Sequence, residues 1–192
     1  MKPILFNTQM VRAIMGGRKT QTRRAVKPQP KDKALLEFRD GILSWGDMRA
    51  GICYEYEAKA AYQPGDILWV RETWRLKTPS VLDETKYIYR ADSNPSDETE
   101  QKWHPSIHMP KEAARIFLRV TDVRVERLWD ISSEDVYAEG TDNRLWAATR
   151  DAFRRLWDST IKKADLYRFG WDANPWVWVY TFEQIRKEDT RC

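Results

Sequence analysis

The chain has 192 residues, room for one domain, and its 33 basic and 29 acidic side chains leave a net charge of only +4, a mild bias toward an anionic partner. Two cysteines, Cys53 and the terminal Cys192, make no disulfide framework and read as reduced thiols of a cytoplasmic protein. No apolar run reaches the roughly 18 residues of a membrane span, and the opening MKPILFNTQM lacks the apolar stretch and small-residue cleavage site of a signal peptide.

From the start, Lys2 to Phe6 reads as a short apolar strand. Asn7 or Thr8 is placed to cap a helix carrying Met10, Val11, Ile14 and Met15 on one face, closed by Gly16-Gly17. A polar run, Arg18 to Arg24, follows, and a proline-containing loop spans Lys27 to Lys33. Ile42 to Trp45 and Ile52 to Tyr56 suggest a hairpin. Pro64-Gly65-Asp66 is a turn signal that feeds a strand over Ile67 to Arg71. Between 77 and 113 only Tyr87 to Arg90 has strand character. Arg115 to Leu128 alternates as a long strand, with a bulge expected near Thr121-Asp122. Ser132, with Asp135 three residues on, resembles a capping box for a short helix that runs to Glu139 and stops at Gly140. A second helix is predicted from Asn143 to about Ile161, and a last strand from Trp176 to Phe182. This order predicts an α+β fold with a mostly antiparallel sheet closed into a barrel and flanked by short helices. It reads as one domain, 1–192, with insertions at about 25–63 and 77–113.

Three groups of residues carry candidate chemistry. Between Gly16 and Arg24, six of nine residues are Arg, Lys or Thr. In extended backbone Thr20, Thr22 and Arg24 share one face. A hydroxyl flanked by cations binds a phosphate or carbonyl oxygen, or acts as a nucleophile if a buried Lys19 of lowered pKa takes its proton. A solvated basic turn is the plainer alternative. Second, Trp69, Arg71, Glu72 and Trp74 lie on or just after a strand. The chain holds ten Trp, eight Tyr and six Phe, and such rings either fill a core or stack on flat ligands. Third, Glu139 ends a helix, where the dipole disfavours a carboxylate, so a cation from elsewhere should face it. His104 and His108 flank Pro105 and make no helical metal pair, and Cys53 alone does not complete a zinc site. No metal or cofactor is implied.

Gly17-Arg18-Lys19-Thr20-Gln21-Thr22-Arg23-Arg24, followed by Pro64 to Glu72, resembles the ASCH domain family, most of all the versions carried by phages and prophages. The resemblance covers Ile4 to Arg24, Pro64 to Trp74 and about Arg115 to Gly140. The stretches 25–63 and 77–113 and the tail after 140 are longer than in compact members. It implies a PUA-like barrel with a cleft for RNA or a modified nucleoside. Compact bacterial members are amidohydrolases that deacetylate N4-acetylcytidine with a Lys, a Thr three residues on and a distal Glu. Carried over, these are Lys19, Thr22 and Glu139, with Glu134 competing for the last place.

The implied mechanism has Thr22 attack the amide carbonyl or position a water, while Lys19 accepts the proton. Arg24 and the Gly16-Gly17 backbone would stabilise the oxyanion, and Glu139 would donate a proton to the leaving amine. Thr20, Trp69, Arg71, Glu72 and Trp74 would bind the substrate. The alternatives are a non-catalytic RNA-binding module, an ASCH-type ribonuclease, and a phage accessory protein whose inserted loops grip a host protein.

Overall fold

Residues 1–30, 36–49, 52–77, 86–93, 102–141 and 146–190 are described by the structure, a computed structural model. The start of the second predicted helix, before Trp146, and Cys192 lie outside them.

The fold is mixed α and β. Strand β1 (Lys2–Leu5) leads into helix α1 (Thr8–Met15), whose N-terminus is capped where the Asn7 side chain accepts from the Met10 N–H at 2.9 Å. Gly16 ends α1, and Gly17 turns the chain at φ 71°. Strand β2 (Gln21–Ala25) follows, then β3 (Leu36–Arg39), β4 (Ile42–Arg49) and β5 (Ile52–Lys59), which form a three-stranded antiparallel sheet of their own. Strand β6 (Ile67–Arg71) returns to the main sheet. Strands β7 (Trp74–Leu76) and β8 (Tyr87–Tyr89) make a small hairpin. Long β9 (Phe117–Arg127) precedes α2 (Ser133–Ala138), α3 (Trp146–Thr160) and α4 (Leu166–Phe169), and β10 (Trp176–Ile185) completes the sheet.

The main sheet runs β1-β6-β9-β10-β2, parallel between β1 and β6 and antiparallel elsewhere. Among the described residues it does not close, and this corrects the barrel expectation. Closure needs a backbone ladder between β1 and β2 with a matching stagger, and those two strands are the edges. What spans the gap is a side chain: Arg24 donates to the Leu5 carbonyl at 2.9 Å, and its guanidinium lies 5.7 Å from the centre of the Phe6 ring. The predicted bulge falls in β9, where Asp122 pairs with Thr181 and Val120 with Phe182, so Thr121 is the extra residue.

Strand β10 is buried on both faces from Val177 to Tyr180, which accounts for its apolar run WVWVY. Trp178, Tyr180 and Phe182 enter the larger core with α1, β4 and β6. Val177 and Val179 face a second core with Val136 of α2 and Phe153 and Trp157 of α3. Strand β2 inherits this division through its register: Thr22 lies opposite Tyr180, and Arg23 opposite Val179. A third core holds Trp69, Trp74, Met109 and Phe117. Among the described residues, no helix is long and apolar enough to cross a membrane.

Candidate functional site

The turn after α1 is fastened to the end of α2. Lys19 and Glu139 form an isolated antiparallel bridge, and the Thr20 N–H donates to Ala138 O at 2.8 Å. Gly140 permits this approach. Its φ is 94°, and a Cβ there would stand 2.7 Å from the Ala13 Cβ and 3.1 Å from the Lys19 Cβ. The bridge delivers Glu139 to Lys19.

Lys19 is fully buried as a side chain. Its Nζ donates to Glu139 Oε2 at 2.7 Å, to the Glu139 carbonyl at 3.0 Å and to the Gln21 carbonyl at 2.8 Å. These contacts occupy the three donors of an ammonium. Burial drives the Lys19 pKa below its ordinary value. Glu139 opposes that shift, and Arg24 and Arg23 add to it. Phe6 closes one side, 5.5 Å from Nζ to the ring centre.

The other oxygen of Glu139 belongs to Arg23. Arg23 Nη1 donates to Glu139 Oε1 at 3.2 Å. Its Nε and Nη2 grip Glu126 Oε1 at 2.9 and 2.6 Å, and Nη2 also reaches Asp135 Oδ2 at 2.9 Å. Burial opposes the charge on Arg23, but the three carboxylates outweigh it and hold its pKa above the ordinary value. Arg124 completes the cluster with bonds to Glu126 and Asp135. A carboxylate at the C-terminal end of a short helix is thus compensated by two buried cations.

Two adjoining cavities open at this cluster. The outer one, of about 500 Å³, lies between α1 and α3 and includes Gln9, Arg12, Arg18 and Thr141 in its lining. The inner one, of about 20 Å³, is bordered by Thr22, Arg23, Arg24, Phe153 and Trp157. Met10, Glu139 and Leu156 line both. Thr22, Arg24 and Glu139 thus border the inner cavity and Lys19 contacts Glu139, with Thr22 itself buried. Glu134 is exposed, so of the two competing carboxylates only Glu139 touches Lys19.

The remaining predicted site residues stand elsewhere. Thr20 is exposed at the turn, its backbone shared between Ala138 and Phe182. Trp69 is packed in the third core beneath the Arg71 guanidinium, and Arg71 donates to Met109 O at 3.1 Å. Trp74 is covered by His104 in a stacked arrangement and by the edge of Tyr87. Glu72 is buried and held by Arg115 through two bonds of 2.8 and 3.0 Å. The Gly16 and Gly17 amides, assigned to an oxyanion, are spent on the α1 carbonyls of Arg12 and Ile14. Arg23 was missed by the sequence reading. The available signal was its alternation with Thr22, which sends it to the opposite face of β2.

No family model matches the sequence, and no curated protein matches it. Among solved structures, the chain is similar to protein EF3133 from Enterococcus faecalis V583, described under the family model DUF984. The identity is 11 %, the TM-score is 0.46, and 97 % of this chain and 82 % of that one are covered.

Proposed function

We propose that this is an ASCH-type, cytoplasmic amidohydrolase that needs no metal and cleaves the amide of N4-acylated cytidine or a related modified nucleoside, free or within RNA. The observation that carries this reading is the buried 2.7 Å contact between Lys19 Nζ and Glu139 Oε2, with a buried Thr22 lining the same inner cavity as Glu139. A lysine is a base only when neutral, and burial favours the neutral amine. Transfer of one proton along the short contact gives a neutral Lys19 and a protonated Glu139, the two forms the chemistry requires.

In the first step the Thr22 hydroxyl gives its proton to Lys19, and its oxygen bonds the acyl carbon. The carbonyl electron pair moves to the oxygen, where Arg24 at the cavity wall supplies positive charge; one well-aimed donor is worth roughly 3 kcal/mol in other enzymes. The C–N bond then breaks as Glu139 protonates the leaving amine, which leaves an acyl ester on Thr22. Water attacks that ester, and its proton and the departing threonine oxygen's proton pass through the same lysine–glutamate pair.

The rival reading, an RNA-binding module without turnover, draws on a different fact: every donor of Lys19 is already engaged, as in a purely structural cross-link. The two are separated by incubating the protein with N4-acetylcytidine and separating cytidine by chromatography, beside a Lys19→Ala control. Release of cytidine that vanishes in the control supports the amidohydrolase. No release, with RNA binding that weakens steeply as salt rises, supports the module.

A further inference from the structure

Arg23 stands between Thr22 and Arg24 on β2, and its side chain is fully buried. It is held in a closed ring of charge. Glu126 bonds Arg23 through Oε1 and Arg124 through Oε2. Asp135 Oδ2 accepts from both arginines, at 2.9 and 3.1 Å. Two guanidinium groups and two carboxylates cancel in this ring, which meets solvent at the partly exposed Arg124. Arg23 Nη1 is left over from the ring. It donates to Glu139 Oε1 at 3.2 Å and, at the longer distance of 3.5 Å, to Gln21 Oε1. The other oxygen of Glu139, Oε2, belongs to Lys19.

On the amidohydrolase reading above, we infer that Arg23 is the positioning residue of this site: it pins Glu139 Oε1, so that proton exchange runs through Oε2, the oxygen that faces Lys19. A carboxyl group free to turn can carry its proton on either oxygen. A guanidinium has donors only and takes no proton, so the oxygen it occupies is the unfavourable place for one. One proton then moves from Nζ to Oε2. The ammonium becomes an amine, the carboxylate becomes an acid, and Arg23 keeps its own protons. The ring of Glu126 and Asp135 matters because it fixes the fork from which Nη1 projects. Arg23 also faces the pair as a fixed charge. Burial comes first in lowering the Lys19 pKa, Glu139 opposes it, and Arg24 and Arg23 add to it. The other charged groups around the pair are Glu126 and Arg124 of β9, Asp135 of α2, and, across the outer cavity, Arg12 of α1 and Arg18 of the turn. The α3 residues that line the two cavities carry no charge.

The test follows Lys19 and turnover together in the full chain, as wild type, Arg23→Met and Arg23→Lys. The protonation of Lys19 is read from the carbon NMR shift of its Cε, assigned by the loss of that signal in Lys19→Ala. Turnover is read as kcat and kcat/KM for N4-acetylcytidine against pH. In Arg23→Met the Lys19 midpoint is expected to move up, because one cation fewer opposes its protonation, and the rising limb of kcat/KM should move up with it. On the plateau kcat should fall on the order of 100-fold, the scale of a misplaced catalytic group. Arg23→Lys restores the charge without the fork, so the midpoint should return toward wild type while kcat stays low. An arginine that only holds the fold together would change stability and leave the midpoint in place. If Arg23→Met does not fold, Arg23→Lys decides alone: low kcat with an unmoved midpoint supports the inference, and wild-type kcat overturns it. An unmoved midpoint in a folded Arg23→Met overturns the inference and leaves the amidohydrolase standing. A wild type that releases no cytidine overturns both.

Discussion

Lys19 and Glu139 form a buried ion pair: Nζ and Oε2 lie 2.7 Å apart, with 0 % and 3 % of the two side chains exposed. Removing one partner of such a pair leaves the other charged and dry. Lys19→Met is expected to destabilise the fold by about 3–5 kcal/mol, less whatever Arg23 recovers by holding Glu139 alone. The double variant Lys19→Met with Glu139→Gln should lose less than the sum of the single changes. Urea unfolding of all four proteins measures the coupling. Additive losses would show that the pair is not a unit.

Arg23 faces Glu126, Asp135 and Glu139 together. Replacing it with Met strands three carboxylates around an apolar stem. A loss of at least about 3 kcal/mol is expected, and Arg23→Lys should recover only part, because a point charge cannot reproduce the fork. The acid limb carries a second signature. Although burial opposes it, the positive charges of Arg23 and Arg124 hold the Asp135 carboxyl below its ordinary 3.8. That stabilisation is present above pH 3.8 and lost as pH falls through the folded value. In Arg23→Met, unfolding midpoints followed from pH 6 downward should show a shallower acid limb than wild type.

At alkaline pH two buried groups pull in opposite directions. Lys19 is lowered from 10.5, so between its folded value and 10.5 the unfolded chain binds the extra proton and stability rises with pH. Tyr180 is pushed up to about 12 by burial, so from 10.0 to about 12 the folded chain keeps a proton the unfolded chain has lost, and stability falls. Tyr62 and Tyr89, also raised by burial, add to that fall. Tyr180→Phe should flatten the decline above pH 10. It should also cost about 1–3 kcal/mol, because the Ala61 N–H loses the hydroxyl that accepts from it at 3.1 Å. A denaturation series from pH 8 to 12 checks both.

Gly140→Ala places a methyl against Ala13 and Lys19 in a backbone of φ 94°, so the end of α2 must back away from the α1 turn. A destabilisation of roughly 1–3 kcal/mol is expected, with loss of any activity that depends on the lysine–glutamate contact. Gly17→Ala is the control. It also has positive φ, 71°, but nothing within 4 Å of a Cβ, so only the strain of roughly 1–2 kcal/mol applies. Thermal unfolding and turnover, measured side by side, separate backbone strain from displacement.

Local signals explain which parts of this fold were legible in the sequence. Asn7 and Ser132 cap helices where their side chains accept from the third residue on, and the short, β-branched and aromatic apolar runs at Ile67–Arg71 and Trp176–Phe182 mark strands. The Lys19–Glu139 pairing was reachable because a carboxylate at a helix end asks for a cation. The partnership of Asp135 with Arg23 and Arg124 was not, since a capping-box reading keeps that side chain local while the structure turns it to arginines of β2 and β9. The open edge between β1 and β2 was equally hidden. Strand count and alternation look the same in an open sheet and a closed one, and only register distinguishes them. Trp69 and Trp74 illustrate a further limit: a ring on a strand reads alike whether its face meets a ligand or, as at Trp74, a histidine.

The charged cluster is assembled from distant pieces of chain: Lys19 meets a residue 120 positions later, and Arg23 meets partners 103, 112 and 116 positions later. On a ribosome adding roughly 5–20 residues per second, the two cations emerge on the order of ten seconds before the carboxylates that bury them. The strand that fixes β2 in the sheet, β10, comes later still. A nascent chain therefore carries its lysine solvated and its guanidinium groups unpaired with these carboxylates. The cluster is complete only when the last strand is laid down, so the burial of Lys19 is also a readout of completed synthesis.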